Sequence, residues 1–349
     1  MLAVLLLLLL SLLYWFFVRV PPSRSLGGRR ILITGAAHGL GEELAIRAAS
    51  RGATLVLWDV DGEALEAVVL RARDALRASG HAVGRNDTKA VVSRAFDIAD
   101  EAALLEARDQ ALRGQGEIDS VVSNAAMLHG VSTASLSGAQ VARSLSVNLG
   151  AAFSLVRTFT AHLKAGLLSD GEKRSRRTLC FVSSVMGAGL GAAGLSDYCA
   201  TKAGLCAMVE CLRQEVNNDR DMAGRLGVHL VCPWIIGDTE MFTGAYTSPS
   251  ASCLQRCLLL ALQPLKRGAL ADHILDGLAW YPGAHWVTFR PLVTRYLALV
   301  LKLVVSPSVG LYDAIVGAFG GSNGMQRWKG APWNRVQCQA SAAKSERPK

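Results

Sequence analysis

Tyr198 and Lys202 stand four residues apart in the stretch SDYCATKAGLC, residues 196 to 206. In a helix this spacing stacks the two side chains on one face, about one turn apart, so an ammonium lies beside a phenol. A free tyrosine loses its proton near pH 10. Acting as a base near pH 7 asks for a shift of roughly 3 pH units, or about 4 kcal/mol of preferential stabilisation of the phenolate. A cation one turn away supplies part of that. The same spacing also fits an ordinary helix with an exposed Lys202 and a half-buried Tyr198, so the rest of the chain has to decide between them.

A second constellation lies near the N-terminus, in TGAAHGLG, residues 34 to 41. Gly35, Gly39 and Gly41 between a strand and a helix let backbone approach a pyrophosphate, with unpaired N–H groups and positive potential at the helix start. His38 and Leu40 belong to the same loop. Such a loop alone also fits a glycine-rich tight turn. Asp59, 24 residues after Gly35 at the end of the next apolar run, adds a carboxylate that can accept hydrogen bonds from ribose hydroxyls and would repel a 2′-phosphate. No Arg or Lys occupies positions 58 to 62, which favours NAD over NADP. Asp61 reads as a solvated turn residue and Trp58 as packing at the strand end.

The elements that must position these residues alternate. Residues 29–35 read as a buried strand, 42–52 as a helix, 53–60 as a second strand and 63–80 as a second helix; further strands are expected at 90–98, 119–125, 178–184 and 227–234. That order specifies an α/β fold: a Rossmann-like, doubly wound parallel sheet covered on both faces.

With 349 residues, 51% of them hydrophobic, the chain is long enough for one large domain plus extra segments. Its net charge of +9 is dispersed, and the short basic clusters lack interleaved aromatics, which argues against a nucleic-acid partner. The first eighteen residues carry no charge and as a helix would span roughly 27 Å, close to a hydrocarbon core. Bulky residues occupy the place where a cleavable signal needs small ones. Residues 1–18 therefore read as a single-pass membrane anchor, and Arg19, Arg24, Arg29 and Arg30, all beyond it, put the main domain in the cytoplasm. The eight cysteines show no metal or disulfide spacing and sit mostly in apolar runs, so buried thiols are expected. The seven histidines follow no ligand pattern either, and no metal is expected. His129, just after the fourth strand, falls at the border of a substrate cleft.

Several motifs in one order make the chain resemble the short-chain dehydrogenase/reductase family over roughly residues 28 to 290. TGAAHGLG is similar to its cofactor loop, FDIAD to its adenine-contacting segment with Asp97 and Ile98, and SNAA to its NNAG segment with Asn124. SVNLG resembles its catalytic asparagine segment at Asn148, VSSVMG its serine segment, and YCATK its Tyr-Lys pair. LVLWDV, DYCATK and TEMF, with the anchor, look most like the membrane-bound branch of retinol dehydrogenases and 17β-hydroxysteroid dehydrogenases. The resemblance implies that Tyr198 takes the hydroxyl proton as hydride leaves for the cofactor, that Ser184 holds the same oxygen, and that Lys202 also bonds the nicotinamide ribose. Asn148 would hold a water linking Lys202 to solvent, or else is a helix-interrupting Asn bonded to backbone. Asn124 is expected to stabilise neighbouring strands.

The sequence departs from that pattern in places. Ser184 lies fourteen residues before Tyr198 instead of thirteen, so Ser184 is the expected catalytic hydroxyl with Ser183 in reserve. PWIIGDTEM carries Trp234 where the family has glycine and sets Thr239, the residue expected at the nicotinamide carboxamide, one position late. Residues 253–267 fall where the family places a substrate lid and are apolar enough for a lipophilic substrate or for a core helix. Residues 291–330 read as a membrane-associated or lid-like apolar helical extension, with 291–305 pressed into the membrane face or against a partner, and 331–349 as a basic disordered tail. The expected function is an NAD-linked oxidoreductase of a retinoid- or steroid-like alcohol at the endoplasmic reticulum membrane or a lipid droplet. The alternatives are a long-chain lipid ketone reductase and a non-catalytic membrane scaffold of the same fold. A homodimer is compatible with the sequence but not required by it.

Overall fold

The computed structural model describes residues 25–80, 89–115, 117–169, 177–187, 191–237, 239, 241, 264–280 and 286–290. Strands β1 (Arg30–Thr34), β2 (Thr54–Asp59), β3 (Val91–Ala95), β4 (Ser120–Ser123), β5 (Arg177–Val182), β6 (Leu226–Pro233) and β7 (Trp286–Arg290) form one sheet in the order β3-β2-β1-β4-β5-β6-β7. Every neighbouring pair is parallel. The helices are α1 (Gly39–Ser50), α2 (Gly62–Ala78), α3 (Glu101–Gln115), α4 (Gly138–Leu145), α5 (Ala151–Ser169), α6 (Ser196–Asn218) and α7 (Arg267–Trp280). A π-turn, Ser146–Gly150, joins α4 to α5.

The strands are near-continuous apolar runs because both faces of the sheet are covered. Ile31, Ile33, Leu55 and Leu57 point to one side and pack with Leu44, Leu65, Val68, Ile274 and Leu278 of α1, α2 and α7. Leu32, Val56 and Trp58 point to the other, against Leu104, Phe159, Leu205 and Leu212 of α3, α5 and α6. Trp58 stands edge-on to Phe96, 5.3 Å between ring centroids, with Phe159 at 6.0 Å. Arg51, just past α1, holds Asp272 and Asp276 of α7 at 2.7 and 2.6 Å, fastening the last described helix over the first βαβ unit.

Strand order reverses between β1 and β4. In a doubly wound sheet the crevice at the carboxyl ends of the strands opens at such a switch point. Gly35, Asp59, Asn124, Ser183 and Trp234 each immediately follow a strand or end one, so the sheet delivers them to one rim.

The structure corrects three expectations of detail. β3 stops at Ala95, where its ladder with β2 ends at the Asp59–Ala95 pair; the Asp97 carboxylate then accepts from the Ala99 N–H and turns the chain. Asp61 is no loose turn residue, since its carboxylate caps α2 by accepting from the Ala64 N–H. β7 continues the sheet beyond the six strands read from the sequence. The expected anchor at 1–18, most of the segment 253–267, the extension at 291–330 and the tail lie outside the described residues. Among the described residues no helix is long and apolar enough to cross a membrane.

Candidate active site

The glycine loop is built from two close approaches. Gly35 has φ +65°, and a Cβ there would lie 2.8 Å from the Ala125 Cα at the exit of β4. A Cβ on Gly41 would sit 1.9 Å from the Gly35 carbonyl oxygen. Only glycine allows the first turn of α1 to fold down on the loop, which leaves a bare-backbone cradle at a helix N-terminus, the shape and potential that suit a pyrophosphate. Asn124 locks the cradle from β4 by donating its Nδ2 to the carbonyls of Thr34 and Gly35, both at 3.1 Å. Thr34 Oγ1 accepts from the N–H groups of Asn124 and Ala125, a role that no sequence motif announced.

Asp59 ends β2 beside this cradle. Its carboxylate accepts from the Ala37 N–H at 2.8 Å and from the Asp61 N–H at 3.0 Å. Burial nevertheless raises its pKa, against the opposing pull of those two hydrogen bonds. His38, in the same loop, turns its Nε2 to Asp61, 2.9 Å away. The Asp61 carboxyl is pushed up by burial but held below its usual range by the Ala64 N–H and His38. Asp97 and Ile98 border the same pocket, and the Asp97 carboxylate is clasped by both Arg143 nitrogens at 2.8 and 3.0 Å, a pairing between residues 46 apart that the sequence did not suggest. Leu40 lies in the pocket wall with Thr239, whose hydroxyl donates to the Ile236 carbonyl and whose methyl faces Gly39.

At the other end of the pocket α6 presents Tyr198 and Lys202 side by side. Both are buried, and the ammonium lies 5.6 Å from the centroid of the phenol ring. Lys202 Nζ donates to the Val182 carbonyl at the end of β5, at 2.7 Å. Burial lowers its pKa from 10.5 to about 8, partly countered by the nearby thiols of Cys206 and Cys232. The geometry separates the two serines. Ser183 spends its hydroxyl on the Lys202 carbonyl at 3.0 Å and lies 3.2 Å from the Cys206 sulfur. Ser184 Oγ accepts from the Met186 N–H at 3.2 Å, which leaves its proton available on the pocket side.

Asn148 sits in the π-turn, buried, and its side chain does not face the pocket. Its Oδ1 accepts from the Met127 N–H, and its Nδ2 donates to the Met127 carbonyl and to Thr201 Oγ1. Thr201 donates in turn to the Tyr198 carbonyl, so Asn148 fastens the strand-β4 exit loop to the turn of α6 that carries the pair. His129 joins Asp197 at 2.8 Å, and Ser144 donates to the same carboxylate oxygen at 2.7 Å, tying α4 and the β4 exit to the start of α6.

Residues 29–249 match the family model described as short chain dehydrogenase. The chain belongs to this family. It is 31% identical over 312 residues to epidermal retinol dehydrogenase 2 of Mus musculus, covering 87% of this chain and 90% of the relative. To retinol dehydrogenase 10-B of Danio rerio it is 29% identical over 238 residues, covering 66% of this chain and 67% of the relative. A short-chain dehydrogenase/reductase from Burkholderia phymatum, solved in complex with NAD, superposes with a TM-score of 0.62 at 22% identity over 80% of this chain and 95% of that one, a likeness of fold. As a short-chain dehydrogenase the protein is an alcohol oxidoreductase that uses a nicotinamide cofactor, and the glycine cradle fits such a group.

The buried ammonium makes stability depend on pH. In the folded protein Lys202 loses its proton near pH 8, in the unfolded chain near 10.5, so between these values the unfolded state binds more protons and unfolding becomes harder as pH rises. The unfolding free energy of the wild type should rise over that window by up to about 3 kcal/mol more than that of Lys202→Met. Chemical denaturation of both proteins across the range checks this, and parallel curves would contradict it.

Proposed function

We propose that the protein oxidises a lipophilic alcohol of the retinoid or steroid class, with NAD as cofactor and Tyr198 as the base. One observation carries the reading: the phenol of Tyr198, the buried ammonium of Lys202 and the uncommitted hydroxyl of Ser184 border one pocket that runs to the glycine cradle. In this arrangement Ser184 donates its proton to the substrate oxygen and fixes it against Tyr198. Tyr198 removes the hydroxyl proton, and the Lys202 cation favours the resulting phenolate. The nicotinamide, when bound, supplies the hydride acceptor. We assign Lys202 and Asp59 to its two riboses, and Gly35, Gly39 and Gly41 to the phosphates between them. Asp97 and Thr239 are assigned the adenine and carboxamide ends.

The substrate side of the pocket is apolar, walled by Val185, Met186, Trp234, Ile236 and Met241. Trp234 fills the place of the family's glycine after β6 and adds a large aromatic face. A greasy wall beside a proton-transfer group suits a long or polycyclic hydrocarbon bearing one hydroxyl. Two relatives named as retinol dehydrogenases support the same class. NAD is assigned on Asp59, whose carboxylate would meet a 2′-phosphate with no cation among positions 58 to 62. We assign residues 1–18 to an anchor in the endoplasmic reticulum membrane or a lipid droplet, 28–290 to the catalytic domain on the cytoplasmic side, 291–330 to a membrane-associated extension and 331–349 to a tail.

Tyr198→Phe keeps the ring and removes the proton acceptor. Oxidation of retinol should fall by at least about 10²-fold while NAD binding persists, and in the same assay the wild type should favour NAD over NADP at least about tenfold. Unchanged turnover in the variant would remove the mechanism, and equal use of both cofactors would remove the role of Asp59. For the anchor, protease added to sealed microsomes should digest the domain; protection would place it on the lumenal side.

A further inference from the structure

The α6 face that carries Tyr198 and Lys202 continues one turn further to Cys206. There its sulfur meets a second thiol, Cys232 of β6, at 4.0 Å, and a hydroxyl, Ser183, at 3.2 Å. Ser183 also binds the Lys202 carbonyl, so the two thiols, the serine and the lysine form one cluster packed behind the pocket. Cys206 is partly exposed and Cys232 is buried. The proposed proton transfer uses neither sulfur.

We propose that Cys206 and Cys232 form an oxidisable thiol pair that a hydroperoxide converts to a disulfide, switching off the site through Lys202. The two cysteines are chemically unlike. The contact with Cys232 lowers the Cys206 pKa, helped by Ser183 and the Lys202 ammonium against the cost of burial. The same contact and burial push Cys232 up. The more exposed sulfur is therefore the nucleophile, and the buried one is the resolving thiol.

The step balances. The Cys206 thiolate attacks the terminal oxygen of the hydroperoxide, the O–O bond breaks, and the alkoxide or hydroxide that leaves takes a proton from solvent. Cys206 is now a sulfenic acid. Cys232 attacks its sulfur, the S–O bond breaks, and the hydroxyl leaves as water with the Cys232 proton. Two electrons have passed from the sulfurs to the peroxide.

Closing the bond draws the sulfurs from 4.0 Å to about 2.05 Å, which pulls the Cys206 turn of α6 toward β6 and breaks the Ser183 contact. It also removes the Cys206 thiolate, whose charge supports that on Lys202. An ammonium with less support is deprotonated more readily, and both the phenol and the ribose lose their cation.

The test uses the full chain in detergent, treated with hydrogen peroxide. Non-reducing peptide mapping should show a Cys206–Cys232 linked peptide, retinol oxidation should fall at least fivefold, and dithiothreitol should restore it. Cys232→Ala should stop at a Cys206 sulfenic acid that dimedone traps, and Cys206→Ala should lose the reversible inactivation. Mapping the wild type needs no variant to fold and no substrate, so it stands even if the proposed reaction is wrong. Both thiols still reduced at a dose that inactivates, or reversible inactivation that persists in Cys206→Ala, would overturn the proposal. A linked peptide with full activity would overturn the connection to Lys202.

Discussion

The buried ammonium of Lys202 is the constraint on which the site depends. A cation taken out of water must be held by oriented dipoles, or it gives up its proton. Here the Val182 carbonyl provides one such dipole, at the last residue of β5. That bond ties α6 to the sheet, together with the bond from Ser183 to the Lys202 carbonyl. It keeps the charge 5.6 Å from the centre of the Tyr198 ring, on the wall of the pocket that Ser184 also lines. The cost of burial is visible in the lowered pKa of Lys202, and the same cost makes the ammonium sensitive to whatever lies behind it.

The remainder of the fold supplies alignment around that bond. A parallel sheet wound on both sides brings the ends of β1, β2, β4, β5 and β6 to one rim, so residues far apart in the chain share a pocket without long loops. Asn124 binds the loop after β1 to the end of β4, while Asn148 and Thr201 bind the exit of β4 to α6. Asn148 is buried and both accepts and donates, while Asn124, half-buried, donates to two successive carbonyls. Their part is to hold the cofactor end and the reacting end of the pocket in register.

Much of this was legible in the sequence because the strong signals are local. Apolar runs separated by helical stretches specify a sheet covered on both faces, and the Tyr198–Lys202 spacing specifies a shared helix face. Gly35 and Gly41 are readable as close approaches because a side chain at either would strike backbone. What was not legible depends on contacts between distant residues. Ser183 and Ser184 are equivalent as letters and differ only because one faces α6 and the other the pocket. His38 finds Asp61, and Asp97 finds Arg143, through the packing of whole helices. Cys206 and Cys232, in separate apolar runs, become neighbours only when α6 lies across β6. β7 is a short strand whose place is fixed by pairing with β6 more than by any pattern of its own.

The central claim is that the Lys202 cation makes the Tyr198 phenol a base at working pH. The most direct measurement is the pH dependence of kcat/KM for alcohol oxidation with saturating NAD, in the wild type and in Lys202→Met. The account predicts that the wild-type profile rises through a pKa well below the free tyrosine value of about 10, and that the rise in the variant moves up toward that value as the rate falls. Coincident profiles, with the rise in the same place in both proteins, would contradict it.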